Sequence, residues 1–161
     1  MIDTIPMSRG PIQSSREMTD LNSFHRYRIL HPVKTHGMSH VYRAMYYGKH
    51  GFRCPVAIKI SAKSSATDPH IHHEARLLST LSAPNLPRVY DTGAIQGYAY
   101  FSMEWIEGYS LRTVLKKTAI PLPVCVNLLY QICNALSALH QRPQSIVHSD
   151  IKPANIMMHA D

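Results

Sequence analysis

Between two short apolar runs, Ile146-Val147 and Ile156-Met157-Met158, lies the polar stretch His148-Ser149-Asp150-Ile151-Lys152-Pro153-Ala154-Asn155. Apolar runs on both sides anchor such a loop in a folded framework. The spacing then gathers a carboxylate (Asp150), an ammonium (Lys152) and an amide (Asn155) around one small volume. Those groups can accept a hydroxyl proton, steady a phosphate and ligate a magnesium ion. An ordinary surface turn has no need of all three.

Upstream, Pro55-Val56-Ala57-Ile58-Lys59-Ile60 reads as a strand with Lys59 as its one charge. Asp68-Pro69 opens a helix, with the carboxylate as cap and proline in the first turn. Ile71, Ala75, Leu78 and Leu81 recur at helical spacing and form one buried stripe, with Glu74 beside it. His70, His72 and His73 point to different sides of that helix and read as surface residues, not a metal site.

The chain has 161 residues, 45% hydrophobic and 17% charged, enough for one domain with a sizeable core. Its net charge of +7 is dispersed, with no basic run longer than Lys116-Lys117, which argues against a nucleic-acid surface. Cys54, Cys125 and Cys133 form no metal or redox motif. Cys125 and Cys133 could share a helical face as small apolar residues. A reducing, cytoplasmic setting is expected, although export by a signal-less route would leave no trace here. No run is expected to reach transmembrane length, and no signal peptide is evident.

In order, residues 1–23 read as a flexible tail. Strands are expected over Phe24–Val33 and Val41–Tyr47, joined through Lys34-Thr35-His36-Gly37-Met38-Ser39-His40. A hairpin turns at Gln96-Gly97, and Tyr98–Trp105 is the next strand. A short helix runs from Ser110-Leu111 to Thr118. A longer one covers about Leu122 to Gln141, its buried face marked by Leu128, Ile132, Leu136 and Leu139.

Together, V-A-I-K at Val56–Lys59, the helix glutamate and H-x-D-x-K-P-x-N at His148–Asn155 resemble the motif set of eukaryotic-type protein kinases, in particular bacterial serine/threonine kinases. The resemblance implies an α+β, protein-kinase-like fold. It has an antiparallel N-lobe sheet with its αC helix (about 24–103), a hinge (104–108) and an incomplete C-lobe (109–161) with the first helices and catalytic loop. It implies ATP and Mg2+ as cofactors and a protein substrate or partner chain, with neither nucleic acid nor a membrane segment. By the same resemblance Asp150 takes the substrate proton, Lys152 neutralises the transferring phosphoryl group and Asn155 holds magnesium. Lys59 would meet the α- and β-phosphates, paired by Glu74. Val33, Val41 and Ala57 would line the adenine pocket, with Gly37 inside the phosphate loop. Met103 would gate the pocket, and the carbonyl of Glu104 and the amide of Ile106 would bond the adenine edge.

The departures matter as much. Lys34, His36 and Ser39 stand where the family's three loop glycines belong, which should hold the loop off the phosphates. Ser149 replaces the arginine that clamps a phosphorylated activation loop. No D-F-G follows Met158 before Asp161, so an uncovered apolar face and a partner covering the incomplete lobe are expected. The main expectation is phosphoryl transfer to protein serine or threonine hydroxyls, truncated or weakened. The alternatives are a pseudokinase-like binding module and, less favoured, a small-molecule phosphotransferase of the aminoglycoside or choline kinase type.

Overall fold

The computed structural model describes residues 26–35, 37–81, 83–142 and 145–160. The expected tail, Phe24 and His36 lie outside these residues. The chain forms two compact units, one from its beginning to Ala75 with Tyr90–Met103, the other from Arg76–Val89 with Glu104–Asp161.

The first unit is built on a five-stranded sheet of order β1-β2-β3-β5-β4. Its strands are β1 (Tyr27–Lys34), β2 (Ser39–Tyr47), β3 (Arg53–Ser61), β4 (Val89–Ile95) and β5 (Tyr98–Glu104). β2 pairs antiparallel with β1 and with β3. The β4–β5 turn falls at the expected place: Gln96 (φ 46°) and Gly97 (φ 83°) both take left-handed backbone, the geometry of a tight two-residue hairpin. β1 begins later than expected and continues through Lys34. It is bulged between Pro32 and Lys34, where Val33 sits.

One face of this sheet holds the apolar core: Tyr27, Ile29, Tyr42, Ala44, Val56, Ile58, Ile60, Ile95 and Tyr100 are all buried. The alternation along β2 and β3 explains it, since Tyr42 faces Ile58 and Ala44 faces Val56 across the ladder. The sheet also curls. Tyr27 of β1 reaches Ser102 of β5, oxygen to oxygen at 2.8 Å, and donates to the Asp91 carboxylate of β4 at 3.3 Å. Tyr100 donates to the same carboxylate oxygen at 3.3 Å. Burial above all pushes the Tyr27 and Tyr100 hydroxyls up from their ordinary value.

Helix α1 (Pro69–Ser79) follows β3 and buries Ile71 and Ala75, while Leu78 and Leu81 of the expected stripe are half-buried. Asp68 caps it, accepting the His70 amide at 3.0 Å. His70 and His73 are exposed, and His72 is half-buried.

The second unit holds β6 (Gly108–Ser110), α2 (Leu111–Leu115), α3 (Leu122–His140) and β7 (Met157–His159). Ser110 caps α2 by accepting the Thr113 amide. The helix stops short of Thr118 because Lys116 and Lys117 turn, with the amides of Lys117 and Thr118 both bonding the Val114 carbonyl. In α3 the expected face is only partly covered: Leu139 and Ala135 are buried, Leu128, Ile132 and Leu136 half-buried. Cys125 is half-buried and Cys133 exposed, so the two do not share a buried face.

The expected apolar patch is present. Leu122, Val124, Val126, Leu129 and Tyr130 of α3 are all exposed, Leu129 and Tyr130 to 60% and 67%. This corrects the expectation about membrane-length segments. With 19 residues, and a mean hydropathy of 1.5 over its best 18-residue window, α3 is long and apolar enough to cross a bilayer by length and composition alone. Along the sequence, polar Asn127, Gln131 and Asn134 break this helix into short apolar pieces and hide its length.

Candidate active site

The residues singled out in the sequence fall into two groups, one in each unit. In the first unit, the register of β2 against β3 sets Val41 opposite Lys59 and Arg43 opposite Ala57. Cross-strand partners share a face, so these four lie on the side of the sheet away from the core. Ala57 is buried and Val41 half-buried. Arg43 shares this face as one more odd-numbered position of β2, in phase with Val41.

Lys59 donates to both carboxylate oxygens of Glu74 at 2.6 Å. Its ammonium also lies 5.8 Å from the centroid of the buried Phe101 ring. The pair is only partly desolvated, with side chains 21% and 42% exposed, so it sits between the weak surface regime and the costly buried one. Glu74 is set by α1, whose cap at Asp68 fixes where the helix starts.

The loop joining β1 to β2 keeps one glycine where the backbone requires it. Gly37 has φ +96°, a conformation that side chains rarely adopt, and open space around its Cα. Met38 is exposed. Lys34 is in register with Val41, and Ser39 opens β2. Val33 does not take a paired position beside Val41 and Ala57: it occupies the β1 bulge and is 53% exposed. Met103, near the end of β5, is half-buried.

In the second unit, the Glu104 amide donates to the Arg88 carbonyl at 2.8 Å, and the Glu104 carboxylate accepts the Arg88 amide at 3.3 Å. Ile106 follows, half-buried. Trp105 donates its indole N–H to Glu107 at 2.8 Å. The segment is thus held from both its backbone and its side chains.

The loop after α3 brings Asp150, Lys152 and Asn155 together as their spacing implies. Lys152 Nζ lies 2.6 Å from Asp150 Oδ1. The Asn155 amide donates to Asp150 Oδ2 at 2.8 Å and to the Asp150 carbonyl at 3.0 Å. Ahead of it, the Asp150 amide donates to the His148 carbonyl at 2.9 Å, with the His148 ring nitrogen at 3.3 Å. Ser149 adopts φ 63°, a left-handed turn that a side chain tolerates at some cost. Its hydroxyl donates to the Val147 carbonyl.

What the sequence did not reveal is how this loop is fastened. β6 pairs antiparallel with β7, Gly108 facing His159 and Ser110 facing Met157. The Leu111 amide donates to the Ile156 carbonyl at 2.8 Å and the Arg112 amide to the Pro153 carbonyl at 2.9 Å. Gly108 is obligatory here, since a Cβ would stand 1.9 Å from the Met158 carbonyl oxygen. The strand expected after Asn155 is present as β7, but three-residue β6 carries too little pattern to announce itself as its partner.

Among the described residues no group of three or more His, Cys, Asp or Glu could hold a metal ion. The Asn155 side chain nonetheless suits magnesium: the bonds from its Nδ2 to Asp150 leave its Oδ1, a hard oxygen donor, as the ligating atom. Magnesium bound by one or two protein groups completes its shell with phosphate and water.

Comparison with known proteins agrees with this geometry. Residues 36–161 match the protein kinase domain. The chain is 33% identical over 138 residues to a "Probable serine/threonine-protein kinase" of Clostridium perfringens, covering 83% of this chain and 19% of that one. It is 26% identical over 168 residues to the tyrosine-protein kinase MasK of Myxococcus xanthus, covering 95% of this chain and 26% of the relative. It therefore spans about a fifth to a quarter of the length of these relatives. Among solved structures, the apo form of PpkA-294 superposes with a TM-score of 0.72 at 25% identity, covering 86% of this chain and 56% of the other. With Lys59 on Glu74 and an H-x-D-x-K-P-x-N loop closed around Asp150, the chain belongs to the protein kinase family.

Proposed function

We propose that this chain supplies the nucleotide-handling and proton-accepting part of a protein kinase that phosphorylates serine or threonine hydroxyls with ATP and magnesium. The observation that carries this is the Asp150 carboxylate, held on one oxygen by Lys152 and on the other by Asn155. A carboxylate fixed in that way is oriented to accept a hydroxyl proton in a defined direction. Lys152, beside it, would neutralise charge on the transferring phosphoryl group. Asn155 would hold magnesium, which supplies charge neutralisation at the phosphates when bound. Lys59, oriented by both oxygens of Glu74, would take the α- and β-phosphates, and the Glu104 carbonyl and Ile106 amide would bond the adenine edge. Positioning and electrostatics are the main terms in phosphoryl transfer, and these residues offer both.

Serine or threonine, not tyrosine, is favoured by Lys152-Pro153 in the loop. Similarity to MasK, named a tyrosine-protein kinase, makes identification of the labelled hydroxyl amino acid a necessary measurement. The setting we infer is cytoplasmic, where ATP is available and the three thiols would stay unpaired.

A weakened or regulatory form is the second reading. Lys34 and Ser39 carry side chains in the loop that should approach phosphate, and Ser149 has no guanidinium to receive a phosphorylated segment. Melting the purified chain with and without Mg-ATP, alongside Lys59→Met, separates the two. At about a hundred times Kd, ligand stabilises by about 2.7 kcal/mol, a shift of several degrees. A shift abolished by Lys59→Met supports the kinase reading. A cooperative melt unmoved by Mg-ATP favours the binding module.

A further inference from the structure

We propose that Ser61 and Asp68 are positioning residues for this site: they fix α1 against β3 so that Glu74 reaches Lys59. This rests on the kinase reading of the Lys59–Glu74 pair and adds to it what sets the pair in place.

Ser61 ends β3 two residues after Lys59, and Asp68 immediately precedes α1. Both are among the most buried polar residues described, at 0% and 4% exposure. The Ser61 hydroxyl donates to Asp68 Oδ2 and accepts the Lys63 amide at 3.0 Å. Asp68 Oδ1 accepts the His70 amide at 3.0 Å. One carboxylate thus holds the end of the strand with one oxygen and the start of the helix with the other. The Ser61 hydrogen bond chiefly holds the Asp68 carboxyl below its ordinary range.

The connection between them is stitched to the sheet as well. The Ser65 carbonyl accepts the Ala99 amide of β5 at 3.0 Å. His72, in the first turns of α1, bridges the Ala66 carbonyl at 2.9 Å and the Thr92 hydroxyl of β4 at 3.3 Å. Thr92 in turn donates to the Tyr100 carbonyl at 2.9 Å. Of these ties, the one made by the helix itself, through His72, lies in its N-terminal half. Glu74 lies six residues beyond Asp68, about 9 Å along the axis. A bidentate contact at 2.6 Å does not survive a slide of half a helical turn, about 2.7 Å. Holding the cap therefore holds the carboxylate that meets Lys59.

The test reads the pair directly, without nucleotide, as the NMR correlation across the Lys59 Nζ–H to Glu74 carboxylate hydrogen bond in isotope-labelled chain. Mg-ATP affinity is measured by calorimetry in parallel. Ser61→Ala removes the strand tie and leaves the helix cap, so it preserves the fold should Asp68→Asn lose it. Ser102→Ala is the control: it removes a buried hydrogen bond to Tyr27 elsewhere in the same unit. The expected result is loss of the correlation in Ser61→Ala and Asp68→Asn, with Mg-ATP Kd raised about tenfold or more. Ser102→Ala lowers Tm and leaves both readouts alone. A correlation of wild-type strength in folded Ser61→Ala overturns the proposal and leaves Asp68 a helix cap only. A chain that binds no Mg-ATP, yet loses the correlation in both variants, would sink the kinase reading while upholding the bracket.

Discussion

Asn155 donates its side-chain amide to the carboxylate of Asp150 at 2.8 Å and to the carbonyl of the same residue at 3.0 Å. The residue proposed to hold magnesium is therefore also the one that orients the proposed proton acceptor. Asn155→Ala should strike both functions, raising the magnesium needed for half-maximal phosphotransfer and lowering the rate at saturating magnesium. Asp150→Asn should lower the rate by about 10²–10⁴-fold with little change in Mg-ATP affinity. Transfer of labelled phosphate to a peptide substrate, titrated with magnesium, reads both. A rate unaffected by Asp150→Asn would remove Asp150 from the chemistry.

Glu74→Gln keeps the shape of the Lys59 partner and discards its charge. Because the glutamate side chain is 42% exposed, the loss in global stability should be small, about 1 kcal/mol or less. Mg-ATP affinity should fall far more than stability does, since the Lys59 ammonium is then no longer aimed. Urea unfolding beside calorimetric binding gives the two quantities. Equal losses in both would mean that the pair is structural only.

Gly108→Ala forces a methyl into the space of the Met158 carbonyl, 1.9 Å away. The β6–β7 pairing must open to accept it, at about 1–3 kcal/mol or more. The loop carrying Asp150 is tied to that pairing through the Ile156 and Pro153 carbonyls. Hydrogen exchange should therefore show faster exchange at Leu111, Arg112 and Asn155, while the amides of β2 and β3 keep their protection.

The acid limb of stability should carry the signature of Asp68. Its folded pKa lies below the ordinary 3.8, so the carboxylate form is favoured by folding. The stabilisation it contributes is present above the unfolded value and disappears as pH falls through the folded one. Melts of wild type and Asp68→Asn from pH 2 to 7 should differ most at neutral pH and converge below about pH 4. A constant difference across the range would assign the effect to shape and not charge.

The exposed flank of α3 should bind an apolar dye. Replacing Leu129 and Tyr130 with glutamine should reduce dye fluorescence and self-association. Stability should change within about 0.5 kcal/mol per site, because neither side chain is packed. A large loss of stability would mean that this face is already covered in solution.

Much of the site could be read from the chain because it is local. Asp150, Lys152 and Asn155 lie within one short loop, and Asp68-Pro69 announces the helix that carries Glu74. Backbone pairings over distance were harder. The β1 bulge at Val33 has no marker in the sequence. The tie from Ser61 to Asp68 spans a loop of six residues and leaves no pattern in the sequence. The β6–β7 pairing joins two three-residue strands across two helices, which hides it and with it the need for Gly108. The polar interruptions of α3 hid how long an apolar helix they belong to.

The pairing of Ser110 with Met157 has a consequence for synthesis. β6 emerges from the ribosome before the two helices that separate it from its partner, and it cannot form its ladder until β7 has been made. Closure of so long a stretch is entropically slow compared with the turns inside the Asp150 loop. The first unit can assemble early, as N-terminal segments do. The order of birth along the chain thus sets a delay between a folded sheet bearing Lys59 and a fastened loop bearing Asp150. During that interval the α3 face would be open to chaperones.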